Sequence, residues 1–405
     1  MASVSVSVSG FFLISFNNKQ LQCMVRKKLF LFPMLCAIIF MQSCVHGDLD
    51  VCPPMVTYAV AFTDTLHMYN GDRFSDDVKK INLYVFDDEN LVYTYTTRVG
   101  TAEPFEKNFK IPLDLPMGNY HMIAWGNIFG NDSVAISPVT PHATHFDDVE
   151  VILHPNEDNV SNKDLLSVFY GEKTINIPLY TDRVDTIPLI NNTNHIRVVL
   201  HWDHTDADDG ARANYDNIQV RLNGTNSRFD FNDEILPNTI QYAPYVTDHS
   251  GNLLRDDAKS FQLKIYNPLP TGVVVTPSDS SVYDFKVLRL FPGNELMLTI
   301  HQTNNIGNTI NLFAPVNSPL RTSPDFGVDI IGDISGTSGF SQYKKDVLNK
   351  NTREEMQESF DRYENYRVDI FLKYNKMNNT YIAIPEIVIE DWHKIIIPPI
   401  FGGAD

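Results

Sequence analysis

Cys44 is the residue with the clearest chemistry in the chain. It ends the stretch MVRKKLFLFPMLCAIIFMQSC (24–44), in which three basic residues precede an apolar run and a serine directly precedes the cysteine. This order is typical of a secretory signal peptide, and the apolar run is shorter than the roughly 18 to 20 residues that a membrane span requires. A cysteine behind such a signal resembles a bacterial lipobox, in which the thiol receives a diacylglycerol and cleavage makes it the first residue. We therefore predict a lipoprotein signal peptide over residues 24–43 and lipidation at Cys44.

The lipobox match is imperfect, because Met41 and Gln42 occupy the positions before Ser43. The alternative is an ordinary signal peptide cut elsewhere, with Cys44 a plain thiol. Two or three acyl chains attach a protein stably to a membrane, since each buried methylene contributes about 0.8 kcal/mol and one chain alone binds marginally. Residues 1–23 lie upstream of the signal and are predicted to be an over-extended start.

Two stretches could bind a metal ion at first sight. His142 and His145 precede two aspartates, but no cysteine cluster or third histidine accompanies them, and a solvated loop is the commoner explanation. The acidic stretch DHTDADDG (203–210) has an alanine at 207, where a calcium loop requires an acid. We predict no metal site and no cofactor.

Catalytic motifs are not apparent either. The stretch GTSGF (336–340) has a phenylalanine where a nucleophile elbow requires glycine. No nucleophile, base and oxyanion hole can be assembled from the sequence, so we predict that the protein is not an enzyme. Trp125, Trp202 and Trp392 could line a sugar site, but each ends a strand pattern, where a buried tryptophan is the default.

Composition restricts the partners and the compartment. The formal net charge is −18, which argues against nucleic acid as a partner, because nucleic-acid binding requires a basic footprint. Of the four cysteines, two precede the predicted cleavage site and one is the predicted lipid site, so Cys52 alone remains. No intramolecular disulfide is then possible, and apolar cores must hold the domains together.

The rest of the chain alternates between apolar and polar residues in short runs. Residues 44–55 read as an extended lipidated tether that ends in two prolines, and the first strand pattern begins at Val56. In KKINLYVF (79–86) the residues Ile81, Leu83 and Val85 alternate with polar positions, which is the signature of a half-buried strand. Many such strands, separated by Asn, Gly, Pro and Asp clusters, favour β-sandwiches.

One helical segment interrupts this pattern, between residues 341 and 361, where apolar residues recur at steps of about four. We expect an all-β protein with this one short C-terminal helical segment. We divide the mature chain into an N-terminal β-sandwich over residues 56–190 and a C-terminal β-sandwich over residues 191–405.

Several motifs resemble those of the FimB-type fimbrial anchor (minor fimbrillin) lipoproteins of Bacteroidetes. The lipobox cysteine, a second cysteine followed by proline and a GNYHMIAWGN-type strand occur in that family's order. The most specific run is FDRYENYRVDIFL (360–372) followed by IVIEDWHKI (387–395). The resemblance implies two tandem transthyretin-like β-sandwiches, attachment to the outer membrane at the base of a fimbrium, and a major fimbrial (stalk) subunit as partner.

The same resemblance raises the question of whether a protease cuts this chain. In related fimbriae, stalk and tip subunits lose an N-terminal strand after a basic residue, and the vacated groove accepts a strand from a neighbouring subunit. An anchor cannot undergo that cleavage without losing its lipid. The first basic residue after Cys44 is Arg73, which is therefore a possible proteolytic processing site. The alternative function is a surface lipoprotein or fimbrial tip adhesin that binds a glycan or a host ligand.

Overall fold

In the computed structural model of the chain, the described residues are 58–66, 71–100, 103–130, 133–156, 158–178, 182–203, 217–236, 238–249, 280–303, 307–313, 319–324, 327–331, 353–362, 364–375 and 380–386. Most of them lie in β-strands, which confirms the predicted all-β class. The strands are β1 (Tyr58–Thr63), β2 (Lys80–Asp87), β3 (Asn90–Arg98), β4 (Lys110–Leu113), β5 (Gly118–Gly126), β6 (Val134–Ile136), β7 (Glu150–Leu153), β8 (Val160–Ser161), β9 (Phe169–Ile177), β10 (Arg183–Pro188), β11 (Ile190–Asn191), β12 (Thr193–Asp203), β13 (Ile218–Gly224), β14 (Arg228–Asp230), β15 (Ile240–Tyr242), β16 (Val246–Asp248), β17 (Ser280–Leu288), β18 (Leu296–Thr303), β19 (Thr309–Asn311), β20 (Val328–Asp329), β21 (Asn365–Asn375) and β22 (Thr380–Glu386).

Two sheets form the N-terminal part. Sheet A has the order β10-β1-β4, and sheet B has the order β11-β9-β5-β2-β3. Their facing side chains make one apolar core, which includes Val60, Phe62, Ile81 and Met122. The edges of the two sheets come close where β9 passes β10, because a Cβ built on Gly171 would lie 2.4 Å from a backbone oxygen of β10. Only glycine fits at that crossing.

Strand β2 of sheet B is buried on both faces. The alternation in β2 predicts one exposed face, and the strand itself is confirmed. Its second face is covered as well, because the rings of Tyr84 and Phe86 make edge contacts with Phe231 at 4.9 and 5.6 Å. These residues belong to a second, larger core that also contains most of the C-terminal strands. The predicted exposed face is therefore a packing surface.

The segment from residue 134 to 161 pairs with strands that come much later in the chain. Sheet C has the order β14-β7-β6, in which β7 is antiparallel to β14. In sheet D, with the order β19-β18-β13-β15-β8, the short β8 is parallel to β15. These pairings link residues on both sides of position 190. The division into two domains at that position stays a prediction.

Sheet E has the order β16-β17-β12-β21-β22, with β12 at its centre. This strand is antiparallel to β17 and parallel to β21. Its residues Ile196, Val198 and Leu200 are fully buried in the larger core, as their alternation predicts. The intervening Arg197 and His201 are 6% and 7% exposed, so the second face of β12 is buried as well.

The described residues contain two α-helices, α1 (Phe74–Asp77) and α2 (Arg353–Arg362). The second overlaps the C-terminal half of the predicted helical segment, ends one residue beyond it and buries Phe360 in the larger core. Its N-terminal half as predicted, before residue 353, lies outside the described residues. No helix of the described part of the chain is long and apolar enough to cross a membrane.

Candidate functional site

The candidate site is the first strand, β1, together with the two strands that hold it. β1 lies in the middle of sheet A, parallel to β10 on one side and antiparallel to β4 on the other. Its side chains Tyr58, Val60 and Phe62 are 2%, 0% and 4% exposed and fill the core between sheets A and B. Loss of β1 would therefore remove both ladders of sheet A and open a groove in the core.

A buried carboxylate fixes the start of β1. The Tyr58 hydroxyl donates a hydrogen bond of 2.7 Å to Asp185 in β10, although the two residues are 127 positions apart. Arg183 and Lys173 approach the same carboxylate, at 2.8 and 3.3 Å. Burial alone would raise the pKa of the Asp185 carboxyl, but these three donors hold the pKa below its ordinary value. Burial, and then the bond to Asp185, raises the pKa of Tyr58.

Arg73 directly precedes α1 and is hydrogen-bonded to Asp64, the residue that follows β1. Its backbone N–H donates to Asp64 O at 3.0 Å, and its carbonyl accepts from the N–H groups of Asp76 and Asp77 at 2.9 and 3.0 Å. Its guanidinium pairs with the Asp77 carboxylate at 2.8 Å. The backbone of Arg73 is therefore bonded on both sides and adopts a turn.

The residue after Arg73 is packed in the N-terminal core. Phe74 is 3% exposed, and its ring stacks on Phe62 of β1 at 5.6 Å and on Phe105 at 5.3 Å. The peptide bond between Arg73 and Phe74 thus joins a hydrogen-bonded turn to a core side chain. A protease that requires an extended substrate reaches this bond only after local opening of α1 and the end of β1.

The predicted ligand and lipid residues lie in three different settings. Cys44, the tether and Trp392 lie outside the described residues, as do residues 204–216 and the stretch 336–340. Trp125 and Trp202 are 0% and 4% exposed, so neither forms an open platform for a sugar. His145 Nε2 lies 2.8 Å from the Glu89 carboxylate. In the described part of the chain, no group of histidine, cysteine or acidic residues is arranged to hold a metal ion.

Charged side chains line the second face of sheet E, which the sequence pattern does not reveal. Arg197 in β12 makes a bidentate pair with Asp284 in β17, at 2.6 and 2.8 Å. Asp369 in β21 accepts from Arg367 at 2.9 Å and lies 2.5 Å from His201 Nε2. Burial opposes the charged form of both carboxyls, yet their cationic and hydrogen-bonding partners hold both pKa values below the ordinary range. These ion pairs tie β12 to its two neighbours.

A network of buried ion pairs and hydrogen bonds connects the end of sheet B to the C-terminal strands. Arg289 forms a bidentate pair with Asp361 in α2, at 2.8 and 2.7 Å, and a further ion pair with the buried Asp233. Asp233 also accepts a hydrogen bond from Asn192, which follows β11. The segment between β11 and β12 is therefore held by side chains from three later parts of the chain.

A protein family and several solved structures match this chain. A family model described as fimbrillin-A associated anchor proteins Mfa1 and Mfa2 matches residues 49–397. The solved structure of the fimbrial anchor protein Mfa2 from Porphyromonas gingivalis is 18% identical, with a TM-score of 0.54 over 83% of this chain and 97% of that one.

Two structures from Bacteroides thetaiotaomicron have the same fold. One, provisionally assigned as an adhesin, is 23% identical with a TM-score of 0.58 over 85% of this chain and 98% of that one. The other, provisionally assigned as polysaccharide-binding, is 20% identical with a TM-score of 0.59 over 84% and 98%. No curated protein matches the chain in sequence. At these identities the structural matches establish a shared fold.

Proposed function

The chain belongs to the family of fimbrillin-A associated anchor proteins, and we propose that it attaches a fimbria to the outer membrane through a lipid and limits the length of the fibre. Membership of this anchor family supports a cell-surface fimbrial location and an association with fimbrial subunits. The lipid attachment, the control of length and the manner of joining are the parts that we add.

The observation that carries the proposal is the place of β1 at the centre of sheet A. The predicted lipid site at Cys44 and the tether of residues 44–55 directly precede this strand, so tension on the lipid acts on a strand paired on both sides. A subunit that keeps β1 has no vacant position between β10 and β4 for a strand from a neighbour. Growth of the fibre therefore stops at such a subunit, and the subunit stays connected to its lipid.

Joining to the stalk then uses an edge or a strand other than the β1 position. Strand addition to a sheet edge supplies affinity through main-chain hydrogen bonds and specificity through alternate side chains. The role is mechanical and non-enzymatic, and the partners are the major fimbrial subunit and the membrane. Nucleic acid is not a partner in this proposal, in keeping with the net charge of −18.

A second candidate function is that of a surface lipoprotein or tip adhesin that binds a glycan or a host ligand. It is favoured by the relative provisionally assigned as polysaccharide-binding, which shares the fold. The burial of Trp125 and Trp202 excludes these two side chains as a stacking platform. A carbohydrate array probed with the mature protein tests this alternative directly.

The test of the anchor proposal is an affinity purification of the intact protein from its native cells, with mass spectrometry of its N-terminus and of the co-purified chains. We expect an acylated Cys44, an uncut bond after Arg73 and a co-purified fimbrial subunit. An Arg73→Gln variant should carry as many fibres as the wild type, because the proposal involves no cleavage there. An N-terminus at Phe74 would contradict the proposal and favour a stalk or tip role.

The control is a Cys44→Ala variant, which should lose both the acyl chains and the attached fibres while its fold is unchanged. If acylated protein is recovered without any fimbrial subunit, the lipid attachment stands and the ligand-binding alternative gains. Labelling with an alkyne fatty acid separates the two cases, because it reports on the lipid independently of the fibre.

A further inference from the structure

The outer edge of β3 is a long stretch of unpaired strand edge among the described residues of the N-terminal sheets. β3 is the last strand of sheet B, paired only with β2 on its inner side. A loop covers its first two residues, since Leu91 N–H donates to Thr144 O at 3.1 Å and His142 N–H donates to Leu91 O at 2.6 Å. From Val92 to Arg98 no described strand pairs with the outer side.

Little in this stretch protects it from pairing with another chain. Edge strands are commonly guarded by short length, proline, inward or central charges, or a bulge. β3 has nine residues and no proline, and its charge lies at its last position. Its bulge lies near its start, where the register to β2 shifts between Val85 and Phe86. Tyrosine and threonine alternate from Tyr93 to Thr96, and both types favour strands.

Two cations, Arg98 at the far end of β3 and Lys80 beside it in β2, lie next to each other, and Lys79 precedes them in the chain. Lys80 and Arg98 are direct partners in the β2–β3 ladder, and the carbonyl of Lys79 accepts from Val99 N–H at 2.9 Å. Like charges directly opposite each other in a ladder are destabilising. Lys79 Nζ donates to Glu103 O at 3.4 Å, and none of the three cations forms an ion pair with a carboxylate of the described residues. Burial, and then the Arg98 charge, lowers the pKa of Lys80, whose Nζ lies 5.6 Å from the Phe129 ring.

A basic cluster of Lys80 and Arg98 with no acidic partner among the described residues is unusual in a chain with a net charge of −18. Its own charges repel one another, and an acidic group from outside would relieve that repulsion. The cluster stands where a strand added to β3 would begin or end, so one ligand could use the main-chain edge and the charges together. A partner of this kind is an extended peptide with acidic residues at a terminus.

We propose that the outer edge of β3 from Val92 to Arg98, together with Lys80, is a docking surface for an extended acidic segment of another protein chain. The segment pairs with β3 as an added strand, and a carboxylate at its end lies beside Arg98 and Lys80. The surface is separate from the β1 position of sheet A, which the chain fills itself. The proposal rests on the proposed function only for the identity of the partner, a fimbrial subunit.

The experiment uses the full mature protein and a synthetic heptapeptide of alternating valine and threonine with a glutamate at each end. A second peptide has lysine in place of each glutamate. We expect the acidic peptide to bind about tenfold more tightly, as two charge pairs at an interface rim would give. Bound acidic peptide should also slow hydrogen exchange of the amides from Tyr93 to Thr97.

The variant Lys80→Glu combined with Arg98→Glu should reverse the preference between the two peptides. The matched control is Lys110→Glu, an exposed lysine in β4 of sheet A that changes the charge away from β3. It should leave the preference as in the wild type. Thermal denaturation checks that each variant is folded before binding is measured.

Equal binding of the two peptides, or protection that appears on another strand, would overturn the proposal. The double variant should also lose fibres from native cells without losing the lipid. Fibres retained on the double variant would mean that the stalk docks elsewhere, and the anchor proposal would stand. Loss of acylation from wild-type Cys44 would refute the anchor proposal and leave peptide binding at β3 untouched.

Discussion

Truncation of Phe62 should expose the bond after Arg73 to trypsin. Phe62 is 4% exposed and stacks on Phe74 at 5.6 Å and on Phe109 at 6.3 Å, so its ring holds the end of β1 against α1. A buried phenylalanine truncated to alanine costs about 3 to 5 kcal/mol of stability. If local opening governs cleavage, the Phe62→Ala variant should be cut after Arg73 roughly a hundredfold to a few thousandfold faster.

The assay is limited trypsin digestion under native conditions, with the peptide that ends at Arg73 quantified by mass spectrometry over time. The matched control is Phe360→Ala in α2, because Phe360 is also 4% exposed but lies in the other core. It should lower the melting temperature without a comparable gain in cleavage after Arg73. Equal acceleration by both variants would show that cleavage follows global unfolding, and the local argument would be refuted.

Three further outcomes are expected. Gly171→Ala should lower the urea midpoint strongly, because its Cβ would lie 2.4 Å from Pro188 O; an unchanged midpoint would show that β9 and β10 can separate at no cost. Asp369 pairs with Arg367, and the pKa of its carboxyl lies below the ordinary value. The stabilisation that this carboxylate gives the folded protein is therefore complete above the ordinary carboxyl range and is lost as the pH falls below about 4. Asp369→Asn should reduce that acid-dependent loss when urea midpoints are compared from pH 5 downward. Cys44→Ala should move the protein from the detergent phase to the aqueous phase in a cloud-point partition, and wild-type protein found in the aqueous phase would contradict lipidation.

The local elements could be predicted from the sequence because their signals are local. The hairpin of β2 and β3 follows from two alternating runs around an acidic turn, and the helix at Arg353–Arg362 follows from apolar residues at steps of about four. The core residues of β12 can likewise be predicted from the alternation of apolar and polar residues. In each case the prediction concerns which residues share a face, and residue types at fixed spacing determine that.

The burial of the second face of β12 and of β2 could not be predicted in the same way. Arg197 and His201 read as solvent-facing residues of a strand, and the structure buries both with acidic partners 87 and 168 positions away in sequence. Tyr84 and Phe86 likewise meet Phe231 from a distant turn. A charge can be buried where a partner of opposite sign is buried with it, and sequence spacing does not show such a partner.

The sequence by itself determined the strand content, the cationic and acidic residues available for pairing, and a signal-like stretch that ends at Cys44. Only the tertiary structure placed β1 between β10 and β4, where Tyr58 bonds to Asp185 across 127 positions. The physical reason is that an alternating pattern fixes which side chains face the core, whereas the partner and register of a strand depend on long-range packing. The place of β1 therefore emerges only when both sheets close on one core.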